Sequence, residues 1–161
     1  MTSTPQIRNE QPHDAAAVAA LIERAFGPGR YAKAAERLRE GRRPRLDLSF
    51  VAYAGETLAG SVRLWPVRVG GEPAIFLGPI AVDEQWRGKG LGQALVERAC
   101  EAAVKAGCAA VLLVGDAPWF ERTGFVRAPD VVLPGPVDQR RVLMRVLDDA
   151  ASALSGPVTP H

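Results

Sequence analysis

Apolar and polar positions repeat with two different periods along this chain, and the switches between them mark its elements. Residues 5–11 read as a short strand around Ile7. From Ala15 onward, Val18, Leu21, Ile22 and Ala25 recur at helical spacing, with Asp14 placed to cap that helix and Gly27-Pro28-Gly29 placed to stop it. A second, more polar helix is predicted over 31–40. Between 48 and 69 the period shortens to that of strands. Phe50-Val51-Ala52-Tyr53 runs into the turn signal Gly55-Glu56, and a second run rich in β-branched residues ends at Gly70-Gly71. Two such runs with short glycine turns predict hairpins.

The segment 74–82 is almost wholly apolar, which suits a strand in the middle of a sheet. Pro79 inside it has no N–H to give to a ladder, so a bulge or local splay is expected at Gly78-Pro79. Residues 88–106 form the strongest helical pattern. Leu91, Leu95, Ala99, Ala102 and Ala106 make one apolar stripe, with Glu97, Glu101 and Lys105 on the opposite face. A buried strand follows at 109–114. Asp116-Ala117-Pro118 opens a short helix that Gly124 closes. Late strands are predicted at 131–133 and 141–147, and 150–161 has no period and is expected to be a loose tail. The order predicts one α/β domain over 1–149 with a central mixed sheet.

Composition narrows the class. A chain of 161 residues with 20 Lys+Arg against 18 Asp+Glu carries only +2, short of the basic excess of a nucleic-acid binder. No apolar run approaches the ~20 residues of a membrane helix, and MTSTPQIRNEQ lacks the plan of a signal peptide. Cys100 and Cys108 have no partners at metal spacing, so no metal site is expected. The expectation is a cytoplasmic protein with reduced thiols.

The chemistry concentrates in Arg87-Gly88-Lys89-Gly90-Leu91-Gly92, which joins a buried strand to the best helix. Glycine at a helix start costs stability, so three of them need a reason. Without Cβ atoms the backbone N–H groups can wrap a phosphate at the positive end of the helix, and Arg87 and Lys89 add formal charge. A purely structural glycine turn is the alternative, at about even odds from the segment alone. No Lys-Ser or Lys-Thr follows, so this is not a Walker A loop, and the spacing fails the dinucleotide fingerprint.

Together with Leu77-Gly78-Pro79-Ile80-Ala81-Val82-Asp83 before it and Trp119-Phe120-Glu121-Arg122-Thr123-Gly124-Phe125 after it, this segment resembles the GCN5-related N-acetyltransferase (GNAT) superfamily, nearest its small bacterial YhbS-like group. The resemblance spans roughly 6–147. It implies an acyl-CoA N-acyltransferase fold, with a mixed, mostly antiparallel sheet flanked by helices, and acetyl-CoA as donor. Arg87, Gly88, Lys89, Gly90, Leu91 and Gly92 would then hold the pyrophosphate, and the backbone at Ala81 and Val82 would pair with the pantetheine arm. The acceptor would be an amine on a small molecule or peptide. By analogy the late strands would form a homodimer interface.

The chain departs from that pattern at one position. The family commonly places a proton-donating tyrosine immediately before the Glu-x-x-Gly-Phe stretch; here Phe120 stands there, beside the cofactor. The tyrosines are Tyr31 and Tyr53, in other elements. That motivates an alternative, a CoA-binding pseudo-acetyltransferase serving as sensor or interaction module. Asp116 reads first as an N-cap for the short helix and second as the candidate base, drawing a proton from the acceptor amine. Asp83 and Glu84 are expected to face solvent. Arg37, Arg39, Arg42, Arg43 and Arg45 read first as a solvated basic stretch and second as a reason to expect an anionic acceptor. Trp65 and Trp86 read as packing residues.

Overall fold

The computed structural model describes residues 4–26, 34–149 and 154–161. Its strands are β1 (Gln6–Asn9), β2 (Phe50–Ala54), β3 (Thr57–Val69), β4 (Glu72–Val82), β5 (Ala110–Val114), β6 (Val126–Arg127), β7 (Val131–Val132), β8 (Val142–Val146) and β9 (Gly156–Pro160). The helices are α1 (Ala15–Phe26), α2 (Leu91–Lys105) and α3 (Ala117–Glu121). The sheet runs β1-β2-β3-β4-β5-β8-β6, with β9 laid against β3 and β7 paired to β9. Among the described residues only β4–β5 and β7–β9 are parallel, which makes the sheet mixed and mostly antiparallel as expected. Gly70 and Gly71 both have positive φ, +56° and +88°, the backbone that closes the β3–β4 hairpin with the twist of its strands.

The expected splay is present and has two parts. Val62 pairs with Ile80 but Leu64 pairs with Leu77, so Gly78 and Pro79 together oppose the single residue Arg63, a bulge across a cis Gly78-Pro79 peptide. On its other edge β4 pairs with β5 only at Ile75↔Val111 and Phe76↔Leu112. Beyond Phe76 the two parallel strands part. Trp65, read from sequence as packing alone, also donates its indole N–H to the Gly78 carbonyl at 2.6 Å within the interior, tying the bulge to β3.

Apolar residues fill both faces. On one, Leu91, Leu95 and Ala99 of α2 pack with Phe50, Val62, Leu77 and Leu113. On the other, Val18, Leu21 and Ile22 of α1 cover Val51, Leu58 and Ala81. These are the helical stripes the sequence pattern predicts. Cys100 is buried in α2, and burial pushes its thiol up to about 11, the opposite of an activated nucleophile. Among the described residues no helix is long and apolar enough to cross a membrane.

Three sequence expectations need correction. Residues 156–160 of the supposed loose tail form β9, which pairs with Val67–Val69 of β3. Of the predicted helix 31–40, residues 31–33 and Gly27-Pro28-Gly29 before them lie outside the described residues, and the rest is a single 3-10 turn, Ala34–Leu38. Asp14 does not cap α1 from outside; it ends a 3-10 turn, Pro12–Asp14, whose last residue leads straight into α1.

Asp14 is instead the hub of a buried network. Its carboxylate accepts from Arg8 at 2.8 and 3.0 Å, from the Gln11 N–H at 2.7 Å and from the Tyr53 hydroxyl at 3.0 Å. Arg8 first, then these other donors, outweigh burial and hold its pKa at about 2. A carboxylate held down in the folded state contributes stability above its unfolded pKa and loses it as pH falls through the folded one. Asp14→Asn is therefore expected to cost about 2 kcal/mol at pH 7. The gap from wild type should close between about pH 4 and pH 2. Urea unfolding across that range tests this, and a gap independent of pH refutes it.

Ser61 carries the opposite sign. Its hydroxyl, wholly buried between Val51 and Ala81 in register, has no hydrogen-bond partner among the described residues. Ser61→Ala is expected to raise stability by about 1 kcal/mol, because the folded state then shelters no unpaired hydroxyl. A lower melting temperature for the variant would show that the hydroxyl is satisfied in solution.

Candidate active site

Where β4 leaves β5, the chain passes through a short turn into α2. Asp83 starts that turn by accepting the Gln85 N–H at 3.1 Å, and its own N–H bonds the Ala59 carbonyl, so the end of β4 is fixed. Gly88 and Gly90 have φ of +76° and +84°, and Gly90 is the residue from which α2 springs. The first backbone bond into the helix runs from the Ala94 N–H to the Gly90 carbonyl. The N–H groups of the opening turn are therefore left for a ligand or solvent.

The three glycines serve different purposes. A Cβ at Gly88 or Gly90 would meet nothing within 4 Å, so these two are demanded by positive φ and face open space. A Cβ at Gly92 would lie 3.2 Å from the Trp119 ring, so that glycine lets the indole rest against the helix start. Gly88, Gly90, Leu91 and Gly92 line a cavity of about 310 Å³ with Val82, Arg87, Trp119 and Arg122. It contains two arginines and no carboxylate. Arg87 is also tethered, its Nε donating to the Val82 carbonyl at 3.1 Å. Arg122 was not singled out by sequence reasoning, although it stands within the Trp119–Phe125 stretch that carries the resemblance.

Not every expected residue joins this cavity. Lys89 is exposed and lies outside its lining, and the side chain of Ala81 packs under α1. Phe120 and Asp116 line a neighbouring cleft of about 620 Å³ with Gly78, Pro79, Ile80, Arg39 and Arg141. The Phe120 ring is nearly buried, stacked edge-on against Trp119 and Phe125. A Cβ on Gly115 would fall 2.3 Å from it, so glycine at 115 is what admits the ring. Asp116 is indeed the N-cap of α3, accepting the Trp119 N–H at 3.3 Å through Oδ2. Its Oδ1 has no hydrogen bond among the described residues, and it stands in the cleft, so cap and cleft residue are compatible.

Of the arginine stretch, Arg37, Arg42 and Arg43 are exposed as the solvated reading expects, and Arg45 pairs with Asp47 at 2.6 Å. Arg39 departs from it: its side chain is 10% exposed and reaches the cleft. Among the described residues no group of three or more His, Cys, Asp or Glu side chains is placed to hold a metal ion.

The arrangement suits a long anionic cofactor. Open glycines at the start of a 15-residue helix, two cavity arginines and a strand edge with unpaired backbone polar groups match a phosphate-bearing head and an amide-bearing arm. Comparison with known proteins agrees. Residues 15–125 match the Acetyltransferase (GNAT) family. An uncharacterised N-acetyltransferase of Escherichia coli (strain K12), YhbS, is 36% identical over 161 residues, covering 96% of this chain and 95% of that protein. The crystal structure of Escherichia coli YhbS in complex with CoA superposes with a TM-score of 0.83 at 34% identity, covering 98% of this chain and 89% of the other. That of a GNAT family acetyltransferase from Brucella melitensis in complex with acetyl-CoA gives 0.74 at 26% identity, covering 98% and 96%.

Proposed function

Since the chain belongs to the GNAT acetyltransferase family, we propose that it moves an acetyl group from acetyl-CoA directly to a primary amine, without a covalent enzyme intermediate. The observation that carries this reading is the parting of β4 from β5 immediately ahead of the open glycine turn of α2. Acetyl-CoA supplies the acyl thioester: the amine nitrogen bonds the acetyl carbon, the carbon–sulfur bond breaks, the amine loses a proton, and the sulfur leaves as a thiolate that gains one.

The residues divide that work by position. The N–H groups opening α2, with Arg87 and Arg122, offset the phosphate charge, and Lys89 adds its field from the exposed side of the turn. The free edge of β4 around Ala81 and Val82 pairs with the amides of the pantetheine arm, and an N–H there polarises the thioester carbonyl. Asp116, through the oxygen not used in capping, accepts the proton of the acceptor amine directly or through water. Phe120 has no proton to give, so the thiolate takes one from water. A general acid is worth about 10²–10⁴-fold in such a step, while proximity and carbonyl polarisation remain.

Calorimetric titration with acetyl-CoA and a thiol-release assay over an amine panel, on wild type and Phe120→Tyr, test the reading. One-to-one donor binding with turnover by wild type supports it. Binding without turnover, restored by Phe120→Tyr, supports instead a CoA-binding module that has lost its chemistry. No saturable binding at millimolar donor overturns both.

A further inference from the structure

Glu36 and Arg39 sit three apart in the 3-10 turn Ala34–Leu38 and its exit, a spacing that stacks their side chains on one side. They form an ion pair in which each side chain is 10% exposed. The pairing is lopsided. Arg39 gives both Nε, at 3.2 Å, and Nη2, at 2.7 Å, to a single oxygen, Oε2 of Glu36. Nη1, with two N–H groups, has no acceptor among the described residues. Nη1 is also not sealed away: the only side-chain polar atom both buried and unpartnered among the described residues is the Ser61 hydroxyl.

Where that nitrogen points is defined by a missing side chain. A Cβ on Gly78 would stand 3.3 Å from Arg39 Nη1, so the guanidinium lies against bare backbone at the β4 bulge. It lines the 620 Å³ cleft there, together with Pro79, Ile80, Asp116 and Phe120. Two other charges border the cleft. Asp138 is occupied by Arg140, at 3.0 and 3.1 Å, and Arg141 has no ion-pair partner among the described residues. Two arginines with donors to spare therefore share the cleft with one carboxylate that keeps a free oxygen, Asp116 Oδ1. A nearly buried guanidinium held rigid at one edge and open to the cleft at the other is built to take an oxyanion, since its remaining donors are pre-oriented for a charge-assisted pair.

The geometry points to an acceptor that is itself anionic: a small primary amine bearing a carboxylate or phosphate, whose oxyanion docks on Arg39 Nη1 while its amine faces Asp116 and the thioester. This rests on the transferase reading above and names the acceptor class within it. Cationic polyamines and neutral amines would leave Arg39 unpaired or place two cations together in one cleft.

The test is a steady-state thiol-release assay with saturating acetyl-CoA and matched acceptors: alanine against alaninamide, aminoethyl phosphate against ethanolamine, and putrescine. The expected result is a kcat/KM at least about tenfold higher for one of the anionic amines than for its uncharged match, the size of a charge-assisted hydrogen bond. The carboxylate and phosphate arms identify which oxyanion is read. In Arg39→Lys, which keeps the charge and a partner for Glu36, that preference should collapse toward unity through KM, with calorimetric affinity for acetyl-CoA unchanged. Equal loss on all acceptors, or a wild-type preference for neutral or cationic amines, overturns the proposal. A separate readout keeps it distinct from the transferase reading: thermal shift of the CoA-loaded protein by N-acetylalanine and by aminoethyl phosphate. Stabilisation that is lost in Arg39→Lys upholds the oxyanion site even if no amine is turned over. Absence of both stabilisation and anion preference refutes it.

Discussion

Gly90→Leu is expected to abolish acetyl-CoA binding in a calorimetric titration while leaving the protein folded. The dissociation constant should rise by more than about 100-fold, or about 3 kcal/mol. Two facts separate the binding loss from a folding loss. A side chain at Gly90 meets nothing of the protein within 4 Å, so no packed atom must move to admit it. The space it enters is the cavity lined by Arg87, Gly88, Gly92 and Trp119 at the start of α2. The backbone does resist, because φ there is +84°. An L-residue in the left-handed region costs roughly 1–2 kcal/mol, a fall of about 2–8 °C in melting temperature at about 2–4 °C per kcal/mol for a chain of this size. Gly90→Asn, whose short side chain tolerates that region better, should melt closer to wild type. Unchanged affinity in the leucine variant would mean that the glycine turn is structural and that the phosphates bind elsewhere.

The largest stability effect should come from Arg63, which lines neither the cavity nor the cleft. Its guanidinium forms a two-pronged pair with Glu10, Nε to Oε1 at 3.0 Å and Nη2 to Oε2 at 2.7 Å, and Glu10 is 2% exposed. Arg63→Met leaves that carboxylate buried with its main partner gone. Breaking a buried pair from one side costs about 3–5 kcal/mol. Because Arg63 is itself 16% exposed and water can reach part of the site, about 3 kcal/mol is the expected figure. Glu10→Leu combined with Arg63→Met should recover most of the loss, since the penalty lies in the stranded charge and not in the missing attraction. Chemical denaturation of the two single variants and the double variant measures both terms. A double variant no more stable than Arg63→Met would show that the pair is worth its own attraction. Arg63 is also the lone residue opposite Gly78 and Pro79, so its loss should loosen the bulge that shapes the cleft.

Much of this molecule was legible in its residues because the relevant physics is local. The α2 stripe, the hairpin glycines and the capping role of Asp116 depend on neighbours within a few positions. The splay was legible because Pro79 has no hydrogen to give, whatever surrounds it. What escaped depends on distant partners. β9 contains Pro157 and Pro160, which break any strand alternation, and it forms because β3, nearly ninety residues earlier, has an edge to offer. Arg39 sits in a basic stretch that looks solvated, and nothing nearby in sequence says that Gly78 would leave room for it. Trp65 looked like filler because the carbonyl it holds belongs to a bulge formed by the next strand.

That late strand also has a bearing on how the protein behaves in company. β2 pairs with β3 only as far as Val62; Arg45 and Ser49 hold the backbone of Leu64 beyond it, and past them the same edge of β3 would run open from Val67, a position with an apolar, fully buried side chain. β9 lies along Val67–Val69; its own outer edge is taken by β7 at Gly156 and Pro157, and Pro160 beyond that pairing has no hydrogen to give. The terminal segment thus acts as a guard rail: it closes a sticky border with one that other chains cannot readily extend. Without it, Val67–Val69 of β3 would have backbone groups free to pair with another chain.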